Sequence, residues 1–193
     1  MKELLEDVEY GTLALCLDGQ PYSVPLNFVH DEGSIYFHGK KGGRKMLAIL
    51  SNPRVSFSVV KNYSIIPSYF STTKGLASPA TQFFKSAIFE GVAEIIEDRG
   101  EKILALSLLM KKLQSEGGYK ALDEAVYEKI INATGVIKMR IDQQELKLKF
   151  GQKLSQERFD MVIKNLEKRQ VGMDIETVKM MKYCKEQDNS INE

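Results

Sequence analysis

The chain has 193 residues, 43% of them hydrophobic and 27% charged, with 27 Lys and Arg against 26 Asp and Glu. That length buries a proper core, and a formal charge of +1 gives no overall pull toward nucleic acid or an acidic membrane. Two histidines and two distant cysteines match no metal or redox spacing, so no zinc site is expected and Cys16 and Cys184 read as reduced structural thiols.

The first ten residues form an acidic amphipathic segment that opens with a helical turn and lacks the apolar core of a signal peptide. The longest apolar run, 103–110, is interrupted by Ser107 and is too short to cross a bilayer. A cytoplasmic location without membrane contact is therefore expected. Gly11 to Leu17 reads as a buried strand, Asp18-Gly19 as a hairpin turn, and Pro21 to Val29 as the returning strand. Pro25 has no N–H to donate and should disturb that strand's ladder. Either it frees neighbouring backbone groups for a ligand or it marks a bulge or barrel corner. His30 falls at the next turn and reads as surface. Asp31 to Ser34 turns the chain into a third strand over Ile35, Tyr36 and Phe37.

Residues 36–53 read Y-F-H-G-K-K-G-G-R-K-M-L-A-I-L-S-N-P. Glycines 39, 42 and 43 let the backbone turn sharply and bring its N–H groups close to a ligand. A helix follows, with Met46, Leu47, Ile49 and Leu50 as its apolar side, and it stops at Asn52-Pro53. Its positive end, with Arg44 and Lys45, suits an anion such as phosphate. A solvated basic turn is the alternative. The loop is not a Walker A loop, because Arg44, Lys45 and Met46 stand where Gly, Lys and Ser or Thr are needed. No G-x-G-x-x-G follows a strand, so a Rossmann site has no support.

Arg54 to Val60 alternates Val55, Phe57 and Val59 against polar residues and forms a fourth strand with one buried face. Lys61 to Thr81 reads as a long irregular connection. Its Tyr63, Tyr69 and Phe70 either cover a planar ligand or pack on the body. Phe83 to Ile96 is the fifth strand, bent at Gly91. Asp98 caps a helix with Glu101 as capping-box partner, and Ile103, Leu106, Met110 and Leu113 are its expected core stripe. The helix ends near Gly117-Gly118, a weaker helical piece runs to about Ile131, and Thr134 to Ile141 is a sixth strand. A helical hairpin closes the chain. Its first helix, Ser155 to Arg169, carries Phe159, Val162, Ile163 and Leu166, and its second, capped by Asp174, carries Ile175, Val178 and Met181. The expected division is a barrel over 1–150, a helical hairpin over 151–187 and a disordered tail over 188–193.

Three blocks in register, P-Y-S-V-P-L-N-F, then I-Y-F-H-G with G-R-K and N-P-R-V-S-F, then S-A-I-F-E-G-V-A-E-I-I-E-D, resemble the pyridoxamine 5'-phosphate oxidase-like flavoproteins, and within them the nitroimidazole-reductase type. The likeness covers about Gly11 to Ile141. It implies a mainly β (α+β) fold, a six-stranded antiparallel Greek-key split β-barrel with peripheral helices, assembled as a homodimer with FMN at the subunit interface. By matching position, Val24, Pro25, Leu26 and Asn27 would lie along the isoalloxazine ring. Phe37, His38 and Gly39 would continue that wall toward the ribityl chain, Gly43, Arg44 and Lys45 would hold the phosphate, and Ser86 would reach the ribityl or phosphate end. His38, which Arg44 and Lys45 should keep neutral at pH 7, is the candidate proton donor or substrate contact.

The chain departs from that family in two places. It lacks the β-rich C-terminal segment that binds the substrate phosphate in the true oxidases, so oxidation of pyridoxamine phosphate is not expected. It also has no tryptophan, where nitroimidazole-reductase relatives usually carry one before the fifth strand. The resemblance implies an FMN-dependent oxidoreductase that passes electrons from NADH or NADPH to an electron-poor small molecule, a nitro compound or quinone. A non-catalytic flavin or haem carrier or sensor is the alternative, and a nucleic-acid-binding role for the short basic loop is weaker.

Overall fold

Both hairpin turns have positive φ at their central residues, Asp18 and Gly19 at 52° and 75°, Glu32 and Gly33 at 42° and 76°. This geometry matches the right-handed twist of the strands it joins. The computed structural model describes residues 1–191. Six strands follow one another, β1 (Tyr10–Leu17), β2 (Gln20–Asp31), β3 (Ser34–Lys40), β4 (Arg54–Ile66), β5 (Thr81–Ile96) and β6 (Thr134–Lys149). They close into a barrel in the order β1-β2-β3-β6-β5-β4, and β1 with β2, β1 with β4, β2 with β3 and β3 with β6 pair antiparallel. The step from β3 to β6 makes the connection a Greek key. The helices are α1 (Lys2–Asp7), α2 (Arg44–Ser51), α3 (Arg99–Leu113), α4 (Glu128–Ala133), α5 (Gln156–Arg169) and α6 (Asp174–Ile191). No helix among the described residues is long and apolar enough to cross a membrane.

The chain forms two compact units, 1–59 with 87–146, and 60–86 with 147–193. This division does not follow the boundary expected at residue 150. Strands β4 and β5 are longer than the alternation suggested, and their distal parts belong to the second unit. The expected tail is helical through Ile191, and its last two residues lie outside those described.

In the first unit, Phe57 is fully buried between Phe28 and Phe37, both edge-on at 4.9 Å, with Phe89 at 6.5 Å. Such ring pairs add to the burial of large apolar side chains. Gly91 is a contact point: a Cβ there would collide with the Arg140 carbonyl of β6. Helix α3 packs through Ala105 and Leu109, with Leu106 half-buried, while Leu113 is 42% exposed. Only Leu106 of the expected stripe belongs to this contact. Apolar residues surround α3 on most sides, so spacing cannot choose a face, and small Ala105 allows the closest approach. Asp98 Oδ1 accepts from the Glu101 N–H at 2.8 Å. The Glu101 carboxylate does not complete the capping box. It accepts from Lys138 Nζ at 2.8 Å and the Tyr36 hydroxyl at 3.2 Å. Lys112, from the same helix, donates to the carbonyls of Leu5, Val8 and Phe28 at 2.8, 2.7 and 3.1 Å.

In the second unit, Tyr63, Ile66, Phe70 and Phe83 share a core with Phe150 and with Phe159, Val162, Leu166, Val178, Met181 and Cys184 of the helical hairpin. Tyr63 and Phe70 are thus core residues, and Tyr69 is 68% exposed. Ile175 is 39% exposed, and buried Thr177 takes part in its place. Thr177 Oγ1 donates to Ser64 Oγ at 2.9 Å, and Ser64 Oγ to Asp174 Oδ1 at 2.5 Å. Arg169 grips both oxygens of Asp174 at 2.8 and 2.7 Å.

Candidate functional site

The β2–β3 ladder holds only Phe28–Asp31 against Ser34–Phe37. Before Phe28, β2 is paired with β1 alone, from Gln20↔Leu17 to Asn27↔Tyr10. Beyond Phe37, β3 is paired with β6, His38 with Val136 and Gly39 with Gly135. The two strands therefore part, and among the described residues each leaves an edge without a strand neighbour. In an antiparallel strand, alternate backbone groups point off each edge, so 20–27 and 38–40 present free N–H and C=O groups to the gap.

Pro25 explains its own tolerance. Its register with Thr12 is continuous, so the expected disturbance of the β1 ladder is absent. A residue without an N–H fits a strand whose other side has no partner to donate to. Val24 and Leu26 are half-buried against the core, while Pro25 and Asn27 are exposed. The Asn27 amide donates to the Glu9 carbonyl at 3.0 Å. Phe37 is wholly buried beside Phe57, so it offers a ligand only its backbone. His30 is not at a turn but within β2, half-buried and paired with Ile35.

His38 is exposed on the side of β3 opposite Phe37. Partial desolvation by neighbouring protein nonetheless lowers its pKa, and Lys45 adds a smaller push in the same direction. A neutral imidazole with one N–H and one lone pair results at pH 7.

Gly43 caps α2 with φ of 102°, a conformation that L side chains rarely adopt. It turns the first N–H groups of α2 outward with no side-chain cap. Three cations of the basic loop have different roles. Lys41 pairs with Glu97 at 3.1 Å and so is engaged within the protein. The Arg44 guanidinium lies 4.4 Å from the centre of the Tyr22 ring, a cation–π contact that fixes a planar donor. Lys45 folds back over Gly39, where its Nζ would stand 2.7 Å from an added Cβ. Burial lowers the Lys45 pKa, and no carboxylate among the described residues pairs with it. A half-buried ammonium beside a glycine-turned helix end is matched to an anionic ligand. The residues present therefore fit a phosphate group.

On α2, Met46 and Ile49 are buried, but Leu47 and Leu50 are 58% and 72% exposed. The expected single apolar side is split between the core and the surface. Ser86 lies in the second unit, half-buried on β5. The structure thus gathers the β2, β3 and α2 residues in one unit, and Ser86 stands one residue before β5 re-enters that unit at Ala87. Tyr22 was not among the expected site residues. Nothing in linear spacing ties it to Arg44, and only the strand pairing brings them together.

The family model described as pyridoxamine 5'-phosphate oxidase matches residues 1–147. The chain belongs to the pyridoxamine 5'-phosphate oxidase family. No curated protein matches it. Among solved structures, it is similar to a candidate 5-nitroimidazole antibiotic resistance protein of Bacteroides thetaiotaomicron, at 22% identity and a TM-score of 0.60, over 75% of this chain and 79% of that one. The flavocytochrome Anf3 of Azotobacter vinelandii matches at 22% identity and 0.65, over 77% and 65% of the two chains. An FAD- and haem-binding protein of Mycobacterium smegmatis matches at 22% and 0.64, over 77% and 69%. At these identities the solved relatives share the fold of this family member. The family match ends at residue 147, before the helical hairpin begins.

Proposed function

We propose that this protein is an FMN-dependent reductase that works as a homodimer, taking electrons from NADH or NADPH and passing them to an electron-poor small molecule of the nitro or quinone type. The observation that carries the reading is the parting of β2 and β3 beside the Gly43–Lys45 helix end. It sets a row of backbone groups off the strand edge next to a half-buried cation that no carboxylate among the described residues pairs with. A flat, hydrogen-bonding ring with a phosphate tail has this combination of needs.

Val24 to Asn27 would bond the ring edge through the backbone, with Pro25 and Asn27 exposed toward it. Gly43, Arg44 and Lys45 would hold the phosphate, with Tyr22 keeping the guanidinium in plane. His38, neutral, offers a hydrogen bond or a proton path to the substrate. When bound, the flavin supplies the hydride and electron transfer, which no side chain can perform alone.

The face is open in one chain, with Pro25, Asn27, His38 and Arg44 all exposed. Tyr10, Leu47 and Leu50 stand out of the same unit at 63%, 58% and 72% exposure. Exposed apolar residues beside an incomplete site favour cover by a second copy. The nitroimidazole-resistance relative favours a nitro acceptor. The flavocytochrome and haem-binding relatives favour a second reading, a flavin or haem carrier.

Turnover separates the two. The purified protein is expected to release FMN on acid treatment and, when loaded, to oxidise NADH or NADPH in the presence of a nitroaromatic or quinone. A loaded protein that no nicotinamide reduces would overturn the reductase and leave the carrier. Failure to bind FMN at all would overturn both flavin readings.

A further inference from the structure

We propose that the second unit carries a binding site for an aromatic or medium-chain aliphatic monocarboxylate. A cavity of about 560 Å³ opens there, within the size range of small-molecule sites. Its floor includes Ile66, Phe83 and Val162, each no more than 2% exposed. Its walls bring in Lys147, Lys149 and Arg158.

Among the described residues these cations have neutral partners. Lys149 Nζ donates to Thr81 Oγ1 at 2.6 Å and lies 5.6 Å from the centre of the Phe84 ring. Lys147 Nζ lies 5.9 Å from the same ring. Arg158 donates from Nε to the Ser71 carbonyl at 3.2 Å and from Nη2 to Ser71 Oγ at 3.3 Å. No carboxylate among the described residues pairs with any of the three. Asp188 is the acid among the lining residues, and it has an interaction of its own.

The chemistry of the occupant follows from this contrast. Uncompensated cations at the wall select an anion. An apolar floor rejects a ligand that is polar throughout, because its groups would lose water without gaining partners. A carboxylate on an apolar body satisfies both, with the head at Lys149 and Arg158 and the body on Phe83 and Val162. Phe84 stands ready for a ring. Lys149, Arg158 and Val162 lie beyond the family match, while Ile66, Phe83, Phe84 and Lys147 lie within it, so only part of this site comes from chain the family model does not cover.

The test is isothermal titration of the full-length protein with 2-naphthoate, with decanoate and with 2-naphthalenemethanol as the uncharged analogue. At least one carboxylate should bind at one per chain, and the alcohol should bind about tenfold more weakly or worse. The better carboxylate identifies a ring or a chain as the preferred body. Lys149→Gln and Arg158→Gln should each weaken carboxylate binding by about tenfold. Should Arg158→Gln unfold by circular dichroism, Lys149→Gln combined with exposed Lys147→Gln reads the same charge. Absence of carboxylate binding, equal affinity for the alcohol, or folded variants with wild-type affinity would overturn the proposal. The titration needs no flavin, so its failure leaves the reductase reading standing.

Discussion

The ammonium of Lys45 occupies the space that a side chain on Gly39 would need, 2.7 Å from the position of the missing Cβ. The two residues belong to different elements, β3 and α2. The glycine is thus a seat for the lysine. Gly39→Ala should push the flexible lysine aside at little cost to the fold, within about 0.5 kcal/mol. FMN affinity should fall by about tenfold as one charge-assisted contact is lost, while riboflavin affinity stays unchanged. Paired titrations with the two flavins check this. A loss shared by riboflavin would move the effect to the ring.

Replacing Arg44 and Lys45 together by Ala should remove two charge-assisted contacts worth roughly 1.5–3 kcal/mol each. FMN affinity then falls by orders of magnitude and riboflavin affinity barely changes. Equal losses for both flavins would mean that the loop does not read phosphate.

Lys112 ties α1 to the barrel by three carbonyl bonds, with the Phe28 ring centre 3.6 Å from its Nζ. Burial nonetheless lowers its pKa from 10.5 to about 8. Below pH 8 both the folded and unfolded chains hold this proton. Between about 8 and 10.5 the unfolded chain keeps it and the folded chain releases it, so this residue's contribution grows as pH rises. Lys112→Met should cost about 1–3 kcal/mol at pH 7 through orphaned carbonyls. In urea unfolding from pH 7 to 10, the gap between wild type and variant should widen.

Asp174 has the same pH slope from the opposite cause, because folding favours its charged form. Arg169 is the main cause that brings its pKa from 3.8 to about 2, assisted by Ser64 and the Val171 N–H. Its stabilisation is complete above 3.8 and fades as pH falls toward 2. With its side chain 1% exposed, the shift corresponds to on the order of 2 kcal/mol. Asp174→Asn should remove most of this at pH 7 and flatten the acid limb between pH 4 and 2. Helical signal followed during acid titration is the readout, and an unchanged limb would mean the pair contributes nothing.

The parts of the fold that announce themselves are those where one local rule acts alone. Asp18-Gly19 and Glu32-Gly33 demand turns, Val55, Phe57 and Val59 demand one buried face, and Asp98 demands a helix start. The basic loop was legible because glycine, cation and helix start are consecutive. What stayed hidden depends on contacts between distant residues. The alternation of strand β4 fails where Tyr63 and Ser64 are buried in succession, and this lies where the chain enters the second unit. Strand β6 is disguised by its exposed run over 142–147, polar except for Leu146. Glu101 looks like a capping partner until Lys138 and Tyr36 arrive beside it. Arg44 on Tyr22 and Lys112 on Phe28 need the tertiary fold before they can be seen.

The second unit draws its core from two separate lengths of chain, one between β4 and β5 and one after β6. Tyr63, Ile66, Phe70 and Phe83 come from the first; Phe150 and the hairpin residues come from the second. Cutting the chain at the end of the family match would strip those four side chains of their cover and yield a sticky, aggregating product. Neither length is of use without the other.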